Sequence, residues 1–344
     1  MRHSIGLTLM IGIATGALMM VAGDRSYSQS IDPNAAPNPY RMLDSWAQLP
    51  ADRKFGGVIK VQVDHSDGKS MWVFDRCGST ECTNSTLAPL MKFDASGKFE
   101  HAIGGGLFAV SHALYIDRDG NVWAGDQVAK NGKGADLIKF SPDGKVLMTI
   151  GKPGMPGNGP GYLDAVSAVV VAPNGDIYVA DGHGTGTNDR IVKFAKDGTL
   201  ITTWGKHGKA QGQIDTPHGI ALDSAGQVYV ADRVNNRIQI FDQDGKFLAE
   251  WKQFGRPSGL YIDKNDNVYS ADHQSGDDGG KVNPGFKKGV RIGSAKDGKV
   301  VAFIPEIAPN AGMPEGIAAD SSGIIYGGWT GNMNVRRWVK AVTQ

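Results

Sequence analysis

Thr216 to Phe241 reads TPHGIALDSAGQVYVADRVNNRIQIF, and the alternation within it decides the fold. Apolar and polar residues alternate through Gly219, Ile220, Ala221, Leu222 and Asp223, which makes one strand. Ser224-Ala225-Gly226 turns the chain, Val228-Tyr229-Val230-Ala231-Asp232 makes a second strand, and Arg237-Ile238-Gln239-Ile240-Phe241 a third. An aspartate-rich turn, DQDG, leads into a fourth, Lys246 to Trp251. Four short antiparallel strands recurring every ~40–50 residues are the pattern of a propeller blade.

Five further segments align under this one. They begin at Gly57 (VIKVQVDHSDGKSMWVFDR), Val110 (VSHALYIDRDGNVWAGD), Ala165 (AVSAVVVAPNGDIYVADGHG), Arg256 (RPSGLYIDKNDNVYSAD) and Met313 (MPEGIAADSSGIIYGGW). Over Phe55 to Gln344 the six average about 48 residues, a normal blade length. The last stops after three strands at Val335-Arg336-Arg337-Trp338-Val339, whereas Arg41 to Ala47, ahead of any complete blade, resembles a fourth strand. The predicted fold is therefore all-β, a six-bladed β-propeller over 41–344 in which the N-terminal strand completes the last blade. Such closure leaves no exposed sheet edge at the join.

Composition agrees. Forty-eight glycines in 344 residues and only 21% charged residues suit short strands joined by tight turns. A net charge of +1 gives no electrostatic basis for binding nucleic acid or an anionic membrane. The expected partner is a small molecule or peptide, and the expected state a monomer.

The first residues, MRHSIGLTLMIGIATGALMMVAG, place Arg2 before an apolar run from Ile5 to Ala22, with Ser26-Tyr27-Ser28 offering small residues for cleavage. Residues 1–28 read as an export signal and 29–40, rich in Pro and Asn, as an extended connector. An uncleaved anchor is the second reading of the same run. Both put the folded part outside the cytoplasm, periplasmic or secreted, with no membrane span expected after cleavage. Cys77 and Cys82 are the only cysteines; in an oxidising compartment their C-x4-C spacing reads as a local disulfide, and two cysteines alone make a poor zinc site.

The loops VAKNGKGA, GHGTGTN and HQSGDDGGKVNPGFKKG all follow a second strand and so emerge on one face of the ring. The start of a first strand shares that face. The slot at that start holds Ile59, His112, Ser167, His218, Ser258 and Glu315 in blades one to six. His112, His218 and Glu315 thus stand on alternate blades, related by an approximate three-fold axis, and can converge on the channel. Two imidazoles and a carboxylate leave open positions on a metal, suited to zinc or to non-haem iron. The ends of the second strands carry Asp75-Arg76, Asp126-Gln127, Asp181-Gly182-His183, Asp232-Arg233, Asp272-His273 and Gly328-Trp329. The aspartates recur and read as turn caps. Arg76, His183, Arg233 and His273 vary where the scaffold repeats, which makes them candidates for chemistry: arginine for a carboxylate or oxyanion, histidine for proton transfer or further ligation.

SHALYIDRDGNVWAGD, PNGDIYVADGHGTGTNDRIVKF, TPHGIALDSAGQVYVADRVNNRIQIF and GMPEGIAAD together resemble the NHL-repeat propellers, and among them the peptidyl-α-hydroxyglycine α-amidating lyases. The resemblance runs from about Gly57 to Trp338. It implies cleavage of a carbinolamide to an amide and glyoxylate at a zinc held by three histidines, assisted by an arginine and a tyrosine. By that resemblance His112 and His218 match two ligands, Arg76 in VFDRCG the arginine, and Met313 a methionine near the site. Glu315 stands where the third histidine would be, and His183 where the tyrosine would be. Gly316 replaces an aspartate that holds a structural calcium in the family, so calcium does not carry over.

Three readings follow. The first is an exported metal-dependent lyase or hydrolase, zinc being the leading metal. The second is a non-catalytic propeller that binds a peptide, glycan or protein on the same face. A third is a redox enzyme using iron at the two-histidine, one-carboxylate set.

Overall fold

The computed structural model describes Met1 and residues 32–308 and 311–341. Apart from Met1, the expected export signal lies within 2–31, outside the described residues. The chain forms six four-stranded antiparallel sheets. Their first strands, Lys60–Val63, Ser111–Ile116, Val166–Val171, Pro217–Leu222, Gly259–Ile262 and Gly316–Ala319, touch in that order and back to the first, closing a ring. This is the six-bladed propeller that the repeats predict. Tyr40–Leu43 supplies the outer strand of blade six, pairing Tyr40 with Lys340 and Leu43 with Arg337. The edge left by the C-terminal strand is thereby capped.

Adjacent blades share each core. Tyr229, Ile238, Ile240 and Trp251 of blade four pack with Phe254 and Val268 leading into and within blade five, and no blade could bury this surface alone. The connector is not free of the ring. Asn34 accepts from the backbone N–H of Lys287 and the guanidinium of Arg291, and the Pro37 carbonyl accepts from Phe303 N–H, so residues 33–37 lie along blade five.

Two sets of aspartates frame the blades. Asp117 Oδ1 accepts from the Asp119 and Asn121 amides in the turn between first and second strands, and its Oδ2 from the Trp123 indole at 3.1 Å. Asp223, Asp263 and Asp320 do the same with the hydroxyls of Tyr229, Tyr269 and Tyr326. The second set lies at the ends of the second strands. Asp75, Asp126, Asp181, Asp232 and Asp272 accept backbone N–H groups from Gly56, Ala109, Asp164, Asp215 and Arg256. Each therefore holds the segment entering its own first strand, a structural task rather than a catalytic one.

Blade two departs from this pattern. Asp181 and Asp232 pair with Arg190 and Arg237, which open the third strands of blades three and four, but the third strand of blade two opens with Asp136. Burial pushes Asp136 up to about 7, and burial with the neighbouring Asp136 pushes Asp126 to about 7. The folded protein therefore holds protons that the unfolded chain, with carboxyls near 3.8, has released. Stability from this pair is full below that value and is lost as pH rises to about 7. Asp136→Asn is expected to raise stability by on the order of 2 kcal/mol at pH 8 and to leave it unchanged near pH 4, checked by thermal melts at both.

Candidate metal centre

The slot residues are aimed by irregularities in the first strands. Pairing with the second strand slips between Ser111 and Ala113, between Val166 and Ala168, and between Pro217 and Gly219, so His112, Ser167 and His218 each occupy a bulge. A bulge redirects the side chain that it carries. Both histidine rings are fully buried. His112 Nδ1 donates to the Ser167 carbonyl at 2.7 Å and His218 Nδ1 to the Ser258 carbonyl at 2.9 Å, each reaching the slot residue of the next blade.

These contacts set the tautomer. A carbonyl only accepts, so each Nδ1 carries the proton and each neutral ring presents a lone pair at Nε2. Burial and the charges around them hold both rings well below the usual histidine range, hence neutral. Yet His112 Nε2 lies 3.2 Å from His218 Nε2, and Glu315 Oε1 lies 3.1 Å from His218 Nε2 and 3.9 Å from His112 Nε2. Three acceptors face one another with no hydrogen to share. A cation resolves that conflict: ligands about 2.1 Å from a tetrahedral zinc stand about 3.4 Å apart.

His183 joins them. One ligand atom each from His112, His183, His218 and Glu315 lie within 4.8 Å of one another. His183 Nε2 is buried with no hydrogen-bond partner, and the ring packs 4.6 Å from that of His112 and 5.0 Å from that of His218. Its backbone N–H is held by Thr187 Oγ1 at 2.9 Å, within the GHGTGTN loop. Burial, then Arg233, lower it to about 4. The donor set thus fits a divalent ion.

Charge around the cluster is positive. Arg233 Nη1 lies 4.0 Å from Glu315 Oε1, and Arg76 donates to Gln127 Oε1 at 3.2 Å and to the Ser111 carbonyl at 3.5 Å. Despite its burial the Glu315 carboxyl is held well below its usual range and stays ionised. His273 lies outside the four-donor cluster, its Nδ1 buried and unpaired. Met313 packs in the core with Ile317 and Trp329. At Gly316 a Cβ would come within 2.6 Å of the Ile59 carbonyl and Lys60 Cα, so the backbone leaves no room for a side chain there. Cys77 and Cys82 form the expected disulfide beside Arg76.

Lys60 is the residue that the sequence reading missed. It follows the slot in blade one, where the other blades carry Ala113, Ala168, Gly219, Gly259 and Gly316. Its ammonium spans the channel to the His218 carbonyl at 3.2 Å, on the blade opposite. Burial lowers it to about 8. A lone lysine among small residues was the available signal.

The family model described as NHL repeat matches residues 215–241, the fourth blade through its third strand. The chain is a six-bladed propeller whose fourth blade matches the NHL repeat. It is similar to the human NHL repeat-containing protein 3, 38% identical over 42% of the propeller chain and 41% of the relative. Peptidyl-glycine alpha-amidating monooxygenase of Mus musculus is 28% identical over 89% of the chain but 31% of its own length. Peptidyl-alpha-hydroxyglycine alpha-amidating lyase 1 of Drosophila melanogaster is 34% identical over 46% of the chain and 30% of its own length. The chain therefore spans less than half the length of these curated relatives. Among solved structures, virginiamycin B lyase of Staphylococcus aureus superposes with a TM-score of 0.54 at 18% identity, covering 87% of the chain and 84% of that structure. A gluconolactonase from Xanthomonas campestris superposes with a TM-score of 0.57 at 14% identity, covering 88% and 91%. These two share the fold. No helix among the described residues is long and apolar enough to cross a membrane.

Proposed function

We propose that the chain is an exported, metal-dependent lyase for small substrates that carry a carboxylate next to the bond to be broken, with N-acyl-α-hydroxyglycines as the first class to test. The observation that carries the reading is the convergence of His112, His218 and Glu315 through lone pairs, beside two arginines. These three residues would hold the ion, zinc in the first instance. A divalent ion bound there would supply Lewis acidity toward a substrate oxygen. Arg76 and Arg233 would receive the carboxylate, for which a guanidinium fork is suited. His183, neutral and unpaired at Nε2, would accept the proton of the substrate hydroxyl and return it to the departing amide nitrogen. The carbon–nitrogen bond breaks as the carbonyl forms, leaving an amide and glyoxylate with atoms balanced. The names of the amidating relatives support this choice of substrate. The disulfide and the apolar N-terminal run support export.

The test is to incubate the protein, purified without chelator, with N-acetyl-α-hydroxyglycine and to quantify glyoxylate and acetamide. Equal release of the two is expected. Arg76→Ala should raise KM by about tenfold or more while metal content stays constant, because the lost contact is to the substrate carboxylate. Metal-loaded protein without turnover, whose face variants change only capture of a partner, would move the assignment to a binding platform. Oxygen-dependent turnover with bound iron would move it to redox chemistry.

A further inference from the structure

The channel has a second mouth, on the face that carries the turns between first and second strands. A cavity of about 1230 Å³ opens there and runs inward along the first strands, with Lys60, Tyr115, Arg118 and Tyr261 among its lining. Lys60 lies between this cavity and the histidine cluster. Only 9% exposed, it donates one hydrogen bond, to the His218 carbonyl. An ammonium has three N–H donors, so two have no protein acceptor among the described residues. The charge of Glu315 acts on it across the channel but makes no direct contact with the ammonium, so its two remaining donors are open to a ligand in the cavity.

The carboxylates at this mouth do not answer it. Asp223, Asp263 and Asp320 are committed to the amides of their own turns and to the hydroxyls of Tyr229, Tyr269 and Tyr326. Arg118 stands exposed at the rim. Further in, Tyr115 turns its hydroxyl to the Val171 carbonyl at 3.3 Å, leaving an aromatic wall, and Tyr261 supplies another. The cavity thus offers cations at Lys60 and Arg118 with the aromatic rings of Tyr115 and Tyr261 beside them.

We infer that this second mouth is a binding site for a small organic carboxylate. Its oxygens accept from Lys60 Nζ, its body lies against Tyr115 and Tyr261, and Arg118 draws the anion in by its charge. The site is independent of the chemistry proposed at the opposite face. Because Lys60 also holds the His218 backbone, an anion seated here touches the metal centre through a single side chain.

Calorimetric titration of the full chain with benzoate, and with its neutral isostere benzamide, tests the inference. Saturable one-to-one binding of benzoate and none of benzamide is expected. Lys60→Met should weaken benzoate by about tenfold or more, and Arg118→Glu, at an exposed position where folding is not at risk, by about fivefold. Arg76→Ala, at the other mouth, should leave the benzoate affinity where it was. Three results overturn the inference: no saturable binding, equal binding of benzamide, or binding that Arg76→Ala removes and Arg118→Glu does not.

Discussion

Replacing His112 and His218 together by alanine is expected to abolish stoichiometric metal binding and to lower kcat/KM by at least about 100-fold. The expectation rests on tautomers fixed by the fold. Each ring spends its only N–H on the carbonyl of the next blade's slot residue, so both Nε2 lone pairs are committed to the channel. Removal of both leaves Glu315 with His183 and too few donors for a tight site. Elemental analysis of wild type and double variant, each purified without chelator, reads the first effect directly. Thermal melts separate it from misfolding. Chelation should lower the Tm of the wild type, because without an ion three acceptors repel one another across 3.1–3.9 Å. The same treatment should leave the Tm of the double variant unmoved. Equal metal content and equal turnover in the two proteins would dismantle both the site and the proposed lyase mechanism.

The largest stability loss is expected from Arg237→Ala, about 3–5 kcal/mol, or a fall in Tm on the order of 10 °C. Arg237 and Asp232 are both buried, and their ion pair measures 2.7 Å. The guanidinium also donates to Glu250 at 2.7 Å and to the Ala210 and Gln213 carbonyls, both at 2.9 Å. Alanine would leave the buried carboxylate of Asp232 in the blade without its counter-charge, while the Ala210 and Gln213 carbonyls keep the Gln213 N–H and Gln239 Nε2 as donors. Asp232 accepts the Asp215 N–H, so the loss reaches the segment that enters the strand of His218. Metal affinity should therefore fall together with stability. Arg237→Lys should recover only part of the loss, since an ammonium cannot reproduce the fork. Glu81→Ala, which breaks an exposed pair with Lys130, serves as the control and should leave stability essentially unchanged. Chemical denaturation of the four proteins checks the ranking. An Arg237→Ala loss no greater than that of Glu81→Ala would show that the pair is dispensable.

Blade four shows why so much of the architecture was legible in advance. Its second and third strands fall at Val228–Asp232 and Arg237–Phe241, the positions that the alternation predicts. Strand signals are local and a propeller repeats them, so errors in one blade are corrected by the other five. The slot residues were legible for the same reason. Once repeats align, His112, His218 and Glu315 must share a face, because equivalent positions in equivalent strands point the same way. His183 was visible as a variable residue at that face, but its approach to within 4.8 Å of the other donors depends on the path of the glycine-rich loop of blade three.

The sequence by itself determined the number of blades, the closing N-terminal strand, the disulfide and the face on which the variable polar residues gather. Each follows from the period of side chains along a strand or from spacing along the chain, quantities that exist before folding. Only the tertiary structure decided which lone pairs meet in the channel, that Lys60 bridges blades one and four, that Asp136 confronts Asp126 where blades three and four place an arginine, and that Arg291 secures the connector. Those contacts join residues far apart in the chain across a closed ring. Their distances are set by the diameter of the ring and the packing between blades, which no single repeat encodes.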